Sequence, residues 1–461
     1  MPEVRVDAGS AVTTVVRTTK PDNATCRPTD SDSDGDGSPD CADACPKDGR
    51  KTKPGPCGCG KTDTDQDRDG TLDCDDACPT DAKKQDKGEC GCGMAETDSD
   101  GDGTPDCTDM CPKNPDISEA GDAGLGCSSG RMRLTIDAAQ VDADLTDFPV
   151  MVRVTDPKLS GARIDGLDLF FSGEDGATPL DFEIERWVQG TGELVAWVRL
   201  PLVADLTNTV FYLSYGDGSG THPQNPSGVW DAGYTAVWHL ADVSNLADSK
   251  GGNTATNNGT ANAGGQIGGA AFFDATDFIA LPPAALSGIV GQKVSVSAWA
   301  YGGAALGTVG NAFFSATSST GTYVINAHLP WVEATPNIYW DAGNGTDACC
   351  GTANRINKAT ASATEYKGRW NYYTFTKDPA AATMRIYING AEWHSANGTT
   401  EALGTATEFR LGASVGATTD GFWPGTIDEF RVSNVERSAA WIAAEYNNQK
   451  SGATFLTMVA E

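Results

Sequence analysis

The sequence predicts a mostly β protein: an irregular repeat region followed by two β-sandwiches. Three observations carry that expectation. Residues 26–127 hold twelve of the fourteen cysteines and an acidic motif that returns every 33 residues, with too little apolar content for a packed core. Near Arg131 the cysteines stop and short runs of β-branched and aromatic residues begin, each bounded by Gly, Asp or Pro. One stretch alone, Arg437 to Tyr446, has clear helical spacing. A chain of 461 residues has a prior of about three domains. The expected blocks are a lead segment at 1–25, the repeats at 26–127, one sandwich at 131–220 and a second at 229–461.

The repeats open with Asp32-Ser33-Asp34-Gly35-Asp36-Gly37, then Asp65-Gln66-Asp67-Arg68-Asp69-Gly70, then Asp98-Ser99-Asp100-Gly101-Asp102-Gly103. Two more aspartates follow each: Asp40 and Asp43, Asp73 and Asp76, Asp106 and Asp109. Counted from the first Asp, carboxylates fall at positions 1, 3, 5, 9 and 12, with Gly at 6. That is the ligand spacing of a calcium loop. Ca²⁺ is a hard cation that takes six to eight oxygens at about 2.3–2.6 Å. Alternate residues of a tight turn point inward, and glycine permits the sharp bend. Position 7 (Ser38, Thr71, Thr104) would give a backbone carbonyl. A single match reads equally as a solvated acidic linker. Three in register, with cysteines repeating in step, favour Ca²⁺ as the cofactor.

The cysteines recur as Cys41, Cys74 and Cys107, as Cys45, Cys78 and Cys111 (each before a proline), and as Cys57-Gly-Cys59 and Cys90-Gly-Cys92. An even, periodic set in a coreless stretch reads as a disulfide framework and places the chain outside the cytosol. Zinc is the rival. No histidine precedes His222, and the interleaved hard carboxylates favour calcium. An EF-hand would carry Glu at position 12 and flanking helices, and a dockerin an apolar helix after the loop. Here position 12 is Asp, and Pro, Gly and Cys flank the loops. The pattern D-x-D-x-D-G-x-x-D-x-x-D-x-C-P resembles the thrombospondin type 3 repeat, over about residues 26–127. The resemblance implies a chain wrapped around calcium ions and stapled by disulfides, with almost no regular secondary structure. The inserts at Pro56–Gly60 and Glu89–Gly93 depart from the animal version and resemble the bacterial variety, so the pairing stays open.

The formal net charge is −30, and residues 1–127, with 29 acids and 14 bases, hold half of it. Nothing basic suggests nucleic acid, and no run of 18 apolar residues suggests a membrane span. Met1 to Thr25 lacks the basic start and apolar run of a signal peptide, which leaves a missing upstream segment or a mis-assigned start as open alternatives.

In the second block, β-type runs occur at Met132–Ile136, Phe148–Val154, Leu167–Phe171, Phe182–Trp187, Leu194–Leu200 and Val210–Gly216, a spacing that suggests a sandwich. The phrases E-x-E-x-W, A-W-V-R-L-P and F-Y-L-S-Y-G-D resemble a bacterial domain family of unknown function over about 131–220. In the third block, Ala236–Leu240, Asp248–Gly251, Ala271–Asp274, Val294–Trp299, Met384–Gly390 and Gly425–Val432 resemble concanavalin A-like, laminin-G-like jelly rolls. This implies two antiparallel sheets. Ser438 is a plausible cap for the one helix, and a last strand runs from Phe455 to Val459.

Laminarinase-type glycosidases share that fold and carry E-x-D-x-x-E on one strand, which is absent here. Glu183 and Glu185 share a strand face, and a solvated face is the preferred reading. The expectation is therefore not an enzyme. The richer stretch is His328-Leu329-Pro330-Trp331, Tyr339-Trp340-Asp341 and Arg355. Aromatic faces suit sugar C–H groups and polar side chains suit hydroxyls, so His328, Trp331, Asp341 and Arg355 are the candidate ligand-binding residues. Trp340 is assigned to the core, whereas Trp331 fits either role. Cys349-Cys350 is either a vicinal disulfide or a free pair. In related jelly rolls the Asp of D-S-x-G and that of I-D-E-F-R lie near each other, which makes Asp248 and Asp428 a candidate fourth calcium site. The alternative pairs Asp428 with Arg431. Together these features suggest an extracellular or cell-surface adhesion or glycan-binding protein. The repeats would be a calcium-stiffened stalk, the jelly roll a head, and the partner a polysaccharide or glycoconjugate. A structural surface protein with surface or matrix protein partners is the alternative, and a glycan hydrolase a third.

Overall fold

The computed structural model describes residues 26–27, 29–99, 101, 103–109, 130–216, 222–304, 306, 310–332, 335–344, 355–415 and 421–461. They divide into two compact units. The first carries the repeats as far as Thr108, and the second runs from Asp109 to Glu461 with both sandwiches.

The described part of the first unit has no helix and no strand. Its order comes from covalent and polar links. Ten cysteines pair as Cys26–Cys41, Cys45–Cys59, Cys57–Cys74, Cys78–Cys92 and Cys90–Cys107. The pattern is a relay. The second cysteine of a repeat closes onto its own Cys-Gly-Cys insert, and the first cysteine of that insert bonds the next repeat. Each bridge closes a loop of 14–17 residues, worth about 3 kcal/mol. Disulfides leave these ten thiols no zinc to bind. Cys111 and Cys127 lie outside the described residues, as do Asp100, Asp102, Cys349 and Cys350. A salt bridge repeats with the same period. Lys51 reaches Asp63 at 2.7 Å and Lys84 reaches Glu96 at 2.5 Å, each lysine also donating to a carbonyl of its insert, Gly58 or Gly91.

The second unit opens with β1 (Gly130–Ile136), β2 (Leu145–Thr155), β3 (Phe170–Ser172), β4 (Phe182–Val188), β5 (Glu193–Val203) and β6 (Thr209–Tyr215). These are the six expected runs, with ends moved by up to three residues. A short helix α1 (Pro226–Val229) leads to β7 (Tyr234–Trp238), β8 (Thr256–Asn258), β9 (Ala261–Gly264), β10 (Gly269–Phe273) and β11 (Phe278–Ala280). Then come β12 (Val294–Gly302), β13 (Ala312–Thr317), β14 (Tyr323–Val332), β15 (Pro336–Ala342), β16 (Arg355–Ala359), β17 (Trp370–Asp378) and β18 (Thr383–Ile388). β19 (Ala391–Asn397), β20 (Glu408–Leu411), β21 (Gly425–Ser433), helix α2 (Ala439–Gln449) and β22 (Leu456–Ala460) complete the unit. The jelly roll is present: a sheet ordered β19-β18-β17-β12-β21-β10-β9, with β7 also on β21, faces a sheet ordered β16-β15-β14-β13-β20-β11-β8. Its core alternates along the strands. Phe314, Trp340, Phe375 and Phe430 meet mostly edge-on, and the Trp340 indole crosses to donate to the Thr376 carbonyl at 3.0 Å.

Two expectations about boundaries are corrected. The last strand does not belong with residues 229–461. β22 pairs antiparallel with β1, from Met132 opposite Ala460 to Ile136 opposite Leu456, and so completes the sheet β22-β1-β6-β3 of the first sandwich. Nor are the sandwiches separate bodies. One apolar cluster joins Phe148, Trp197 and Phe211 of the first to Trp230, Val237, Trp299 and Tyr372 of the second, with Trp441 of α2 wedged against Phe148. Ser438 caps α2 as expected, accepting from the Trp441 amide, and the helix runs three residues past Tyr446. Those extra turns place Asn448 on β2, where its amide takes the N–H and the C=O of Met151, at 2.7 and 2.9 Å. β2 bonds only β5 in its three-stranded sheet, so Asn448 satisfies backbone groups on an otherwise open edge.

Candidate functional site

The outer face of the seven-stranded sheet carries the predicted aromatic stretch. Strand alternation alone would put residues three apart, such as His328 and Trp331, on opposite faces. A register shift between them, where β14 runs past β15, brings both to one face. Tyr339 lies opposite His328, Arg355 opposite Asp341, and Trp340 between them turns inward. The result is a cavity of about 100 Å³ lined by Tyr323, His328, Trp331, Tyr339 and Arg355. Trp331 is 36% exposed and stands edge-on to the His328 ring at 4.8 Å, whereas Trp340 is fully buried. Arg355 lies over the Tyr339 ring at 4.8 Å. Burial holds the His328 imidazole down to about 4, so it lines the cavity as a neutral ring.

Asp341 has a different part from the one expected. It is 2% exposed, takes both forks of Arg355 at 2.6 and 3.0 Å, and accepts from Asn326 at 3.1 Å. It positions the guanidinium from behind and has no face toward the cavity. Tyr323 and Tyr339 line the site without having been singled out as ligands. A larger hollow of about 680 Å³ lies on the first sandwich, walled by Leu180, Leu200, Leu202, Val210 and Phe211. Its one strongly perturbed acid, Asp175, is held down to about 2 by Thr178 and Ala177 within its own turn. It offers no aromatic platform beside a charged group.

In the acidic loops, Asp32, Asp34 and Asp36 bring ligand atoms within 4.8 Å of one another, and Asp65, Asp67 and Asp69 do the same. The turn is built by the first aspartate, which accepts from residues 4 and 6 of the loop: Gly35 and Gly37 on Asp32, Arg68 and Gly70 on Asp65. Both positions are left-handed (φ of 78° and 95° in the first loop, 66° and 99° in the second), so position 4 wants glycine as much as position 6 does. Asp43 and Asp76, at position 12, are buried, and each uses one oxygen to accept from the amide two residues on. Their second oxygens, with Oδ2 of Asp34 and Asp67, are buried without a hydrogen-bond partner. Burial and the neighbouring charges of Asp36, Asp43 and Asp32 raise the Asp34 carboxyl, and Asp67 matches it in the second loop. Position 9 is corrected. Asp40, Asp73 and Asp106 turn to the loop entrance, where they accept from the amides of Ser33, Gln66 and Ser99 and from nearby hydroxyls. They are clasps, and in each of the first two loops four carboxylates remain for the centre. Of the third loop, Asp98 accepts from Gly103 and Asp109 is buried.

Residues 273–443 match the sequence model of the concanavalin A-like lectin/glucanases superfamily. The match spans well under half the chain and includes the aromatic cavity. A search of curated proteins finds no match. Among solved structures, domain 4 of an extracellular arabinanase from Geobacillus stearothermophilus, in complex with arabinotriose, is 23% identical, over 46% of this chain and 98% of that one, with a TM-score of 0.35. The receptor-binding domain of botulinum neurotoxin mosaic serotype C/D is 15% identical, over 49% of this chain and 52% of that one, with a TM-score of 0.38. The binding domain of botulinum neurotoxin serotype D is 14% identical over 47% and 52%, with a TM-score of 0.38. This chain therefore spans about half the length of the toxin domains.

The remaining predicted residues fall in a different place. Asp248 is tied to β7 and its own loop, accepting from Val237, Lys250 and Asn253 at 2.8–2.9 Å. Asp428 is fully buried on β21 and accepts from the Ile267 amide at 2.8 Å. Val237 pairs with Arg431, three residues beyond Asp428, so the two aspartates serve different neighbours and the described contacts do not join them in one site. Asp428 does not pair with Arg431 either, because that guanidinium bonds Glu429 at 2.6 Å and lies between the Trp197 and Trp230 rings. The solvated-face reading of Glu183 and Glu185 is also corrected. Both side chains are buried against His239, whose Nε2 lies 3.0 Å from Glu183 and whose Nδ1 lies 2.8 Å from Glu429 and 3.7 Å from Glu185. Trp230 and Trp197 donate to Glu183 and Glu185. Burial, with Glu429 beside it, pushes the Glu185 carboxyl up to about 8. The carboxylates around it raise His239 well above the usual imidazole range.

Proposed function

We propose that the chain is an extracellular glycan-binding protein whose acidic repeats are ordered by Ca²⁺ and whose jelly roll is the binding head. The observation that carries it is the cavity beside Trp331: one half-exposed indole, two tyrosines and a guanidinium fixed by a buried carboxylate. Aromatic faces stack on sugar C–H groups, and Arg355 donates to hydroxyls or a uronic acid. The cavity is small. At about 30 Å³ per water it holds three or so, against 300–1,000 Å³ for pockets that engulf a ligand. It therefore accepts one edge of one sugar ring, and a single contact is weak, with Kd in the millimolar range, about −4 kcal/mol. Useful adhesion then needs many copies or long polymers.

In the repeats the ligands would be Asp32, Asp34, Asp36 and Asp43, their equivalents Asp65, Asp67, Asp69 and Asp76, and Asp98 and Asp109 of the third loop, with position 7 carbonyls and waters completing six to eight oxygens. Buried carboxylate oxygens without donors suit a hard cation. Catalysis has no support in the Glu183–Glu185 pair, which is sealed under tryptophan and histidine. Disulfides and the absence, among the described residues, of a helix long and apolar enough to cross a membrane agree with an extracellular setting.

A glycan array probed with the full chain, with and without Ca²⁺, tests the reading. Binding lost on Trp331→Ala, with an unchanged thermal transition, supports it. Binding that survives that substitution moves the site elsewhere. An empty array with capture of a matrix protein favours the structural alternative, and release of reducing ends from a polysaccharide panel favours a hydrolase.

A further inference from the structure

The junction beneath Trp197 and Trp230 holds more carboxylates than its fold needs. We propose that Glu185, Asp428 and Glu429, with Nδ1 of His239, bind one divalent transition-metal ion of the zinc or manganese class, which locks β4 of the first sandwich to β7 and β21 of the jelly roll.

Four observations support it. First is spacing. Ligand atoms of Glu185, His239 and Glu429 all lie within 4.8 Å of one another, and Nδ1 is 2.8 and 3.7 Å from the two carboxylates. The edge of a tetrahedron with 2.1 Å bonds is about 3.4 Å. Second are unanswered atoms. Oε1 of Glu185 and Oδ1 of Asp428 are buried with no hydrogen-bond partner, on side chains that are 2% and 0% exposed. Such an atom costs about 1–3 kcal/mol unless something binds it. Asp428 precedes Glu429 on β21, and its carboxylate and Oε1 of Glu185 both border the turn at residues 265–268, which sets the two side chains at one junction.

Third is the outer layer. Each ligand has a second fixed contact: Glu185 accepts from the Trp197 indole, Asp428 from the Ile267 amide and Glu429 from Arg431, and His239 meets the Glu183 carboxylate through Nε2. A metal-bound histidine typically shows this carboxylate on its second nitrogen. Fourth is the backbone. Glu185 occupies a bulge in β4, and Glu429 sits at a bulge in β21 with φ of 57°, a left-handed conformation unusual for glutamate. On one edge, β21 bonds β10 up to Ile427 and β7 from Phe430, so the ladder changes partner at Asp428 and Glu429, where the Glu429 amide donates to the His239 carbonyl at 3.3 Å. Glycines at 265 and 268 let the overlying loop touch Asp428 and Glu185, where a Cβ would collide.

Charge agrees. Fully ionised, Glu183, Glu185, Asp428 and Glu429 bring four negative charges, and the guanidinium of Arg431 is shared between Glu429 at 2.6 Å and Glu445 at 3.6 Å. A divalent ion offsets two of those charges while His239 stays neutral. One nitrogen among carboxylates favours zinc or manganese over calcium or magnesium. The rival is a metal-free cluster, with His239 doubly protonated between Glu429 and Glu183.

The full chain, disulfides intact, is unfolded in guanidinium with EDTA, refolded, placed in excess Ca²⁺ to fill the repeats and given Mn²⁺ or Zn²⁺. We expect one tightly held equivalent and a higher unfolding midpoint for the β unit. Mn²⁺ in this site would show a ¹⁴N coupling in electron spin-echo spectra, which the repeats, with no histidine before His222, cannot supply. Glu185→Gln and Asp428→Asn should weaken uptake at least tenfold, and Trp331→Ala should leave it unchanged. Because the coupling is measured on the wild-type chain, it decides the matter even if a variant fails to fold. Absence of the nitrogen-coupled ion from the wild type, or unchanged uptake in Glu185→Gln, overturns the proposal. So does a metal-free Asp428→Asn chain more stable than the wild type with metal, since that would mean the cluster carries protons.

Discussion

The acidic repeats and the buried junction both gather carboxylates, by opposite routes. In the repeats twelve consecutive residues supply the whole set, glycines bend the chain around it, and disulfides hold the loops in sequence. In the junction Glu185 and Glu429 come from two strands and His239 from the residue after β7, up to 244 positions apart. They meet because a large apolar core, with Trp197, Trp230 and Trp299 fully or nearly fully buried, is already in place around them. A charge cluster without a core takes its order from covalent bridges and local hydrogen bonds. One inside a core obtains its position from packing and makes demands on that core in return.

The contrast is broken or sharpened most strongly by removing calcium from the full chain. The repeats should lose amide protection and expand in small-angle scattering while the β unit keeps its thermal transition. Equal protection with and without chelator would mean the disulfides suffice. Next in size is Asp69→Ala, which removes one of four inward carboxylates from the middle loop. Because the relay of bridges ties neighbouring loops together, titration calorimetry should show a loss of more than one calcium equivalent. A loss of one alone would make the loops independent.

Within the β unit, His328 provides a pH test. Its folded-state pKa of about 4 lies below the unfolded value near 6.5, so the unfolded chain takes up a proton that the folded chain refuses. Its neutral form is fully accommodated above pH 6.5, and stability is lost as pH falls toward 4, on the order of 2–3 kcal/mol. Asp341 and Arg355 face the ring with opposite effects, so the readout is the difference between wild type and His328→Asn across that window. A constant difference would show that the ring charges without cost. In the metal-free chain His239 has the opposite sign: its raised pKa gives stability that is present at low pH and lost as pH rises through the folded value. Smaller still is Asn448→Ala, which leaves both Met151 backbone groups unanswered on β2, costing about 1–3 kcal/mol in chemical denaturation. The smallest effect runs the other way. Arg68→Gly relieves a left-handed arginine and should stabilise the calcium-loaded middle loop by about 0.5–1 kcal/mol.

How much was legible follows the same division. The turns of the acidic loops, the strands and the Ser438 cap could be read because each is encoded within a dozen residues. Trp331 and Arg355 were singled out because aromatic and polar residues are concentrated there, and both line the small cavity. Asp341 was misjudged because its partner is a strand away, and a buried carboxylate looks the same in sequence as an exposed one. The left-handed demand at position 4 was hidden by arginine standing where the other loops have glycine. Disulfide pairing was undecided because two equivalent cysteines in each repeat compete for two in the insert. The alternation of Glu183 and Glu185 was read correctly, but which side faces water depended on residues such as Trp230 and His239, 47 and 56 positions from Glu183.

β1 and β22 are antiparallel neighbours, and the Arg131 side chain grips Glu461 at 2.7 Å. Entry to and exit from the whole 330-residue β unit are therefore side by side. A tether pulling on residues 130 and 461 would not stretch the two sandwiches in series. It would peel β22 from β1 like a zipper, loading one hydrogen bond at a time, while the Trp331 cavity and the carboxylate junction stayed out of the line of force. Adjacent ends also let such a unit hang from a longer chain as a side loop, adding a β unit without adding length.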